Sequence, residues 1–243
     1  MSKGRSIDRI TIKGYKSIRA LEGFPLCRLN ILIGANGAGK SNFIRFLSLV
    51  RSLATGNTDA IAQEGGPRVL LHSGPRTTAQ ILGRFEFQSN AYEIVLKPTA
   101  TSEMFISRET VHFRKKDEWV SDVIGKSGQE SQLEKAAKQK GWRGGRSIAY
   151  HVHDAIKGWK TFHFHDTSMF ATVRLGEAAN DVDYLRTDGS NLAAFLLHLR
   201  TENEPRYELI RETIRLVAPF FNDFKLQARK KGKREPEQIE LEW

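Results

Sequence analysis

A chain of 243 residues, 40% hydrophobic and 27% charged, has enough apolar side chain to bury a sizeable core, which excludes a collagen-like or wholly disordered polypeptide. No apolar run approaches the roughly 20 residues of a membrane helix, and the basic start Met1-Ser2-Lys3-Gly4-Arg5-Ser6 is followed by no secretory core, so a cytoplasmic protein is expected. The single cysteine, Cys27, excludes an intramolecular disulfide and is read as a small buried residue, while the formal charge of +10 suits a polyanionic partner such as DNA or RNA.

The first element is a strand over about residues 7–13, where Ile10 and Ile12 alternate with polar neighbours, leading into Gly14-Tyr15-Lys16-Ser17-Ile18. Leu29-Asn30-Ile31-Leu32-Ile33 follows, a short apolar run that reads as a strand buried on both faces of a parallel sheet. Directly after it, Gly34-Ala35-Asn36-Gly37-Ala38-Gly39-Lys40-Ser41 fits G-x-x-x-x-G-K-[ST] at every fixed position. Glycines let backbone N–H groups approach phosphate oxygens, Lys40 adds a positive charge near the β/γ-phosphates, and the Ser41 hydroxyl is suited to ligate Mg²⁺. Phe43, Phe46, Leu47 and Val50 fall at i, i+3, i+4 and i+7, the apolar face of a helix. The loop therefore ends at a helix N-terminus, where unpaired N–H groups and the positive end of the macrodipole favour an anion. A nucleoside triphosphate with Mg²⁺ is the expected ligand.

The order I-x-I-x-G-Y-K-S-I, then L-N-I-L-I-G-A-N-G-A-G-K-S-N, resembles the start of AAA-family, ABC-type ATPase heads of the RecF, OLD and SMC group, over Ile7 to Phe46. The resemblance implies the N-terminal portion of an α/β P-loop NTPase head: a lobe with a parallel or mixed sheet, an antiparallel β-subdomain and a helical lobe. It implies ATP and Mg²⁺ held by Gly34, Asn36, Gly37, Ala38, Gly39, Lys40, Ser41 and Asn42, with Ser41 on the metal and the Lys16-Ser17 turn near the nucleotide.

Residues 52–79, rich in glycine and proline, read as a long surface connection with a helical turn hidden in it. From Gln80 the period changes to two: Ile81, Phe85 and Phe87, then Tyr92, Ile94 and Leu96, then Phe105, then Val111 and Phe113. Breaks at Ser89-Asn90, Pro98 and Arg108-Glu109 make this an antiparallel meander, in the order expected for a RecF-like head. Residues 116–147 are polar and basic, a solvated insertion or a nucleic-acid-facing arm. Within it, Ser127-Gly128-Gln129 lacks the leucine and second glycine of the L-S-G-G-Q signature of ABC ATPases and is set aside.

Ile148, Val152, Ala155, Ile156 and Trp159 mark an amphipathic helix, and Lys160 to His165 a strand. His151-Val152-His153-Asp154 and His163-Phe164-His165-Asp166 offer metal-ligand types two residues apart. Such pairs converge on a strand but not on a helix, where the first pair falls, so metal binding is the lesser reading. Gln88 and the segment Phe164-His165-Asp166-Thr167-Ser168 compete for the place of the Q-loop. Asp188-Gly189-Ser190-Asn191 is a turn and cap before Leu192, Phe195, Leu196 and Leu199, and Pro205 opens a second helix that Pro219 stops. At the end of the chain, alternating Phe224, Leu226, Ala228 and Ile239, Leu241, Trp243 flank Arg229, Lys230, Lys231, Lys233 and Arg234, a hairpin whose basic tip suits DNA.

Hydrolysis in the resembled class needs a Walker B strand ending in Asp-Glu and a signature from a second head. No run of four apolar residues here ends in Asp-Glu, so the resemblance places both beyond Trp243 and the C-terminal part of the head is expected to be absent. The expected organisation is one incomplete head over 1–243: strand, loop and helix core 1–51, β-subdomain 80–115, basic insertion 116–147, helical lobe 148–221 and hairpin 222–243. The expected function is an ATP-binding head in DNA maintenance or defence against foreign DNA, turning over only with a C-terminal lobe. The alternative is a non-enzymatic nucleotide-dependent interaction module. A GTPase or small-molecule kinase is disfavoured by the missing N-K-x-D motif.

Overall fold

The computed structural model describes residues 6–116, 118–141, 144–162, 177–178, 180–229, 238–239 and 241–242. The chain divides into two compact units, Met1–Trp159 and Lys160–Trp243. No helix among the described residues is long and apolar enough to cross a membrane.

The first unit begins with strands β1 (Arg9–Tyr15) and β2 (Ile18–Pro25), then helices α1 (Lys40–Ala54), α2 (Ala60–Gln63) and α3 (Gly66–Leu70). Strands β3 (Ile81–Phe87), β4 (Asn90–Pro98), β5 (Met104–Lys115) and β6 (Glu118–Gly128) follow, then α4 (Leu133–Ala137) and α5 (Ile148–Lys157). The six strands form one sheet in the order β2-β1-β3-β4-β5-β6. Every pairing in it is antiparallel, because each strand returns beside a sequence neighbour through a short turn or lies next to β1.

Alternation sets the faces. Ile81, Phe85 and Phe87 of β3 are buried on the inner side, while Leu82, Arg84 and Glu86 are half-buried on the outer side. Helix α1 covers the inner face with Phe43, Phe46, Leu49, Val50 and Leu53. The Phe46 ring lies 4.8 Å from Tyr15 and 6.0 Å from Phe85, centroid to centroid. It passes so close to β3 that a Cβ at Gly83 would stand 2.7 Å from Phe46 Cζ, which is why the strand carries a glycine there. Helix α5 contributes Ala149, Val152, Ala155 and Ile156 to the same core.

Three expectations change. The run Leu29–Ile33 is not a buried strand: it is exposed and unpaired among the described residues, and the large sheet is antiparallel throughout rather than parallel or mixed. The reason is that no described segment lies beside it to complete a parallel pair. The apolar face of α1 runs through Leu49 and Leu53, with Leu47 only half-buried, because the helix continues to Ala54 and its stripe drifts with the 3.6-residue period. The break expected at Arg108-Glu109 is a register shift inside one strand of 12 residues. That strand stays intact because the Glu109 carboxylate, fully buried, accepts from Tyr92 Oη (2.5 Å), Ser131 Oγ (2.6 Å) and the Gln132 N–H (2.6 Å). Elsewhere, residues 52–79 hold α2 and α3, and the polar stretch 116–147 holds β6 and α4.

The second unit comprises β7 (Glu177–Ala178), α6 (Leu192–Glu202), α7 (Glu204–Val217), β8 (Ala228–Arg229) and β9 (Gln238–Ile239), the strands pairing antiparallel in the order β7-β9-β8. Ala193, Ala194, Leu196, Tyr207, Leu226 and Ile239 form its core. Asn191 was expected as a side-chain cap, but its amide turns into the preceding loop. It accepts from the Arg186 N–H at 2.8 Å and donates to Asp181 O (3.0 Å) and Tyr184 O (2.8 Å), so a fully buried amide folds residues 181–191 into the start of α6. Pro205 lies in the first turn of α7, where its missing N–H costs nothing.

Candidate nucleotide-binding site

The phosphate loop joins the unpaired run to α1. Gly37 and Gly39 have φ of 85° and 97°, left-handed values that L side chains rarely adopt. At Gly39 space is also decisive, since a Cβ would lie 2.9 Å from Ser17 Oγ. Helix α1 starts at Lys40 with no side-chain cap and no acidic residue in its first turn. Phe43 is the first helical residue whose N–H is taken, by Gly39 O at 2.9 Å, so the N–H groups of Lys40, Ser41 and Asn42 have no acceptor among the described residues. An uncapped helix end with its dipole uncompensated is a ready anion site.

Lys40 Nζ donates to Gly34 O at 2.6 Å and Ala35 O at 2.8 Å, so the loop closes around its own ammonium group. The cation thus sits in the concavity that the glycines leave open, and phosphate oxygens are stronger acceptors than these two carbonyls. Asn42 Nδ2 donates to Ser17 Oγ at 2.9 Å, tying the first turn of α1 to the β1–β2 turn. That turn is anchored from behind. Lys16 has φ of 46°, its Nζ pairs with Glu64 at 2.5 Å, its N–H donates to Leu70 O at 2.8 Å, and its carbonyl lies 2.8 Å from His72 Nδ1. The resemblance placed the Lys16-Ser17 turn near the nucleotide; the structure sets Ser17 against Gly39 and Asn42.

Beneath the turn, the Tyr15 hydroxyl is buried with no hydrogen-bond partner among the described residues, and burial, reinforced by Glu64, pushes its pKa up. The ring supports Phe46 and so holds α1, with its free N-terminus, against the sheet. Taken together, open N–H groups, left-handed glycines, a lysine inside the loop and an exposed Ser41 hydroxyl fit a triphosphate with a divalent cation. ATP bound there would supply the phosphoanhydride; Gly37, Gly39, Lys40 and Asn42 would hold and orient it, and Ser41 would offer its hydroxyl to the metal.

The remaining sequence-derived residues divide. Gln88 is not beside the loop: it occupies the β3–β4 turn, its N–H donating to Asp8 Oδ2 at 2.5 Å, at the opposite end of β1 from Ser17. Its rival, residues 164–168, lies outside the described residues. No group of three or more His, Cys, Asp or Glu among the described residues could hold a metal ion. His151 and His153 stand on α5, and burial holds the His153 pKa below its usual value; His163 and His165 are outside the described residues. In the basic tip, Arg229 ends β8, while Lys230, Lys231, Lys233 and Arg234 lie outside the described residues. Cys27 is exposed rather than buried, because it belongs to the uncovered segment before the loop; its N–H donates to Asn30 Oδ1 at 2.9 Å. The roles of Glu64, Glu109 and Asn191 were not legible in the sequence, since nothing in a local pattern marks which groups a charged or amide side chain will meet.

Residues 29–211 match the family model for an AAA domain of the AbiEii toxin type, described for type IV toxin–antitoxin (TA) systems. The match opens on Leu29, the first residue of the unpaired apolar run, and ends within α7. No curated protein and no solved structure matches the chain.

Proposed function

The chain belongs to the AbiEii toxin-like AAA domain family, and from that premise we propose that it is the ATP-binding head of a RecF/OLD-like ATPase, acting in the cytoplasm in DNA maintenance or in defence against foreign DNA. The observation that carries the reading is the phosphate loop itself: Lys40 inside a glycine loop at the uncapped N-terminus of α1. The family's link to toxin–antitoxin systems favours the defence role. Mg²⁺ bound with ATP would be held by Ser41, and DNA would meet the basic tip of Arg229, Lys230, Lys231, Lys233 and Arg234.

Turnover calls for more than the described residues supply. Leu29, Ile31, Leu32 and Ile33 are all exposed in a segment that pairs with no described strand, and an apolar run of this kind suits a central strand with neighbours left and right. We assign those neighbours to additional polypeptide, a C-terminal lobe or a second head, bearing the Walker B carboxylates and the signature. The chain by itself then binds ATP with little hydrolysis.

Calorimetric titration tests the reading. Lys40→Ala is expected to weaken ATP binding about 100-fold, equivalent to about 2.7 kcal/mol, and Ser41→Ala to remove chiefly the Mg²⁺-dependent part. Unchanged ATP affinity in both variants overturns the site. Steady turnover by residues 1–243 alone, abolished in Lys40→Ala, overturns the need for additional polypeptide.

A further inference from the structure

The other end of the sheet holds a second cavity, of about 640 Å³, between the inner face and the α4–α5 segment. Its size falls in the roughly 300–1,000 Å³ range of small-molecule sites. Phe87, Val111 and Ile124 line it with apolar surface, and Phe113, 40% exposed, offers a ring to whatever enters. Asn90 stands among them. It lies on the same face of β4 as Tyr92 and Ile94 and pairs with Phe113 across the sheet. The residue is only 7% exposed, yet its side-chain amide has no hydrogen-bond partner among the described residues.

The opposite wall is electropositive. Helix α5, 10 residues long, begins there, with Ser147 as its cap accepting from the Tyr150 N–H at 3.1 Å. The N–H groups of Ile148 and Ala149, both in the wall, have no acceptor among the described residues, and the first turn carries no acid. Lys140 and Arg146, bridged through their backbones, place two cations on the rim, neither paired with a carboxylate among the described residues. The Arg146 guanidinium rests over Tyr150 at 4.4 Å, beside the start of α5. One carboxylate, Asp122, lines the cavity.

We propose that this cavity is a second ligand site taking a nucleoside monophosphate unit, either free or as the phosphorylated 5′ end of a nucleic-acid strand. The base lies on Phe113 with the Asn90 amide at its edge, and the phosphate meets the α5 N-terminus with Arg146 and Lys140. Two cations and two free N–H groups match a phosphomonoester, of charge about −2, rather than a triphosphate. The site is independent of the phosphate loop. Asp8 and Gln88 mark one end of β1 and Tyr15 the other, and seven residues at about 3.3 Å each put about 23 Å between them.

The test uses the Lys40→Ala chain, so that the phosphate loop contributes nothing. Titration with AMP is expected to show binding that weakens at least tenfold in Arg146→Glu and severalfold in Asn90→Leu, with adenosine and inorganic phosphate each binding more weakly than AMP. Arg146 is exposed, so its variant should keep the parent's thermal unfolding and report binding alone. A 5′-phosphorylated tetranucleotide that binds more tightly than AMP assigns the site to strand ends; equal or weaker binding assigns it to free nucleotide. The proposal is overturned if AMP does not bind, if Arg146→Glu leaves its affinity unchanged, or if the 5′-hydroxyl tetranucleotide binds as well as the phosphorylated one.

Discussion

The meander β3–β6 and the approach to the phosphate loop are built from similar residues and end in opposite states. Phe85 and Leu96 are fully buried, whereas Leu29 is 77% and Ile33 90% exposed. Apolar content does not separate them. An antiparallel strand finds its partner across a short turn, as β3 and β4 do over Ser89. A strand of parallel type needs neighbours from distant parts of a chain, and the approach to the loop has none among the described residues. The scaffold that holds α1 thus pairs its strands with one another, while the run that feeds the loop has no partner among the described residues.

The comparison can be broken from the scaffold side. Phe46→Ala removes the ring wedged between Tyr15, Phe85 and Gly83 and should cost about 3–5 kcal/mol, read by urea denaturation, with ATP binding falling as the unfolded fraction rises. Glu109→Ala leaves the Tyr92 hydroxyl, the Ser131 hydroxyl and the Gln132 N–H without their acceptor and should cost about 3 kcal/mol by the same measurement.

A smaller effect is expected on the outer face, where His112 contacts Ser121 Oγ at 2.8 Å and Arg84 at 3.4 Å. Burial first, and the Arg84 guanidinium second, hold its pKa below the usual value. The unfolded chain therefore takes up the proton first. The stability is complete above the unfolded value of about 6.5 and is lost as pH falls from there toward the lower folded value. His112→Gln should flatten that decline in melting temperature between pH 7 and pH 5.

The smallest effect sharpens the contrast. Replacing Leu29, Ile31 and Ile33 together by serine should alter unfolding free energy by no more than about 0.5 kcal/mol, while reducing self-association of the chain at high concentration. A loss above about 2 kcal/mol, the scale of a buried large side chain, would mean that the run is covered within the chain itself.

What the sequence determined alone was local. G-x-x-x-x-G-K-S named the loop and its ligand class, the heptad-like spacing of Phe43, Phe46 and Val50 placed α1, and period-two alternation from Ile81 placed the meander. These features depend on neighbours within a few residues, which a pattern can carry. Tertiary structure decided the rest: that Leu29–Ile33 stands unpaired among the described residues, that Glu109 and Asn191 are buried acceptors and donors, that Gln88 lies at the far end of β1, and that α5 opens on a cavity rather than a filled core. Apart from Asn191, whose partners are the nearby Asp181, Tyr184 and Arg186, these turn on which distant segment lies alongside, and burial of a polar group is stable only when its surroundings bring the matching hydrogen-bond partner.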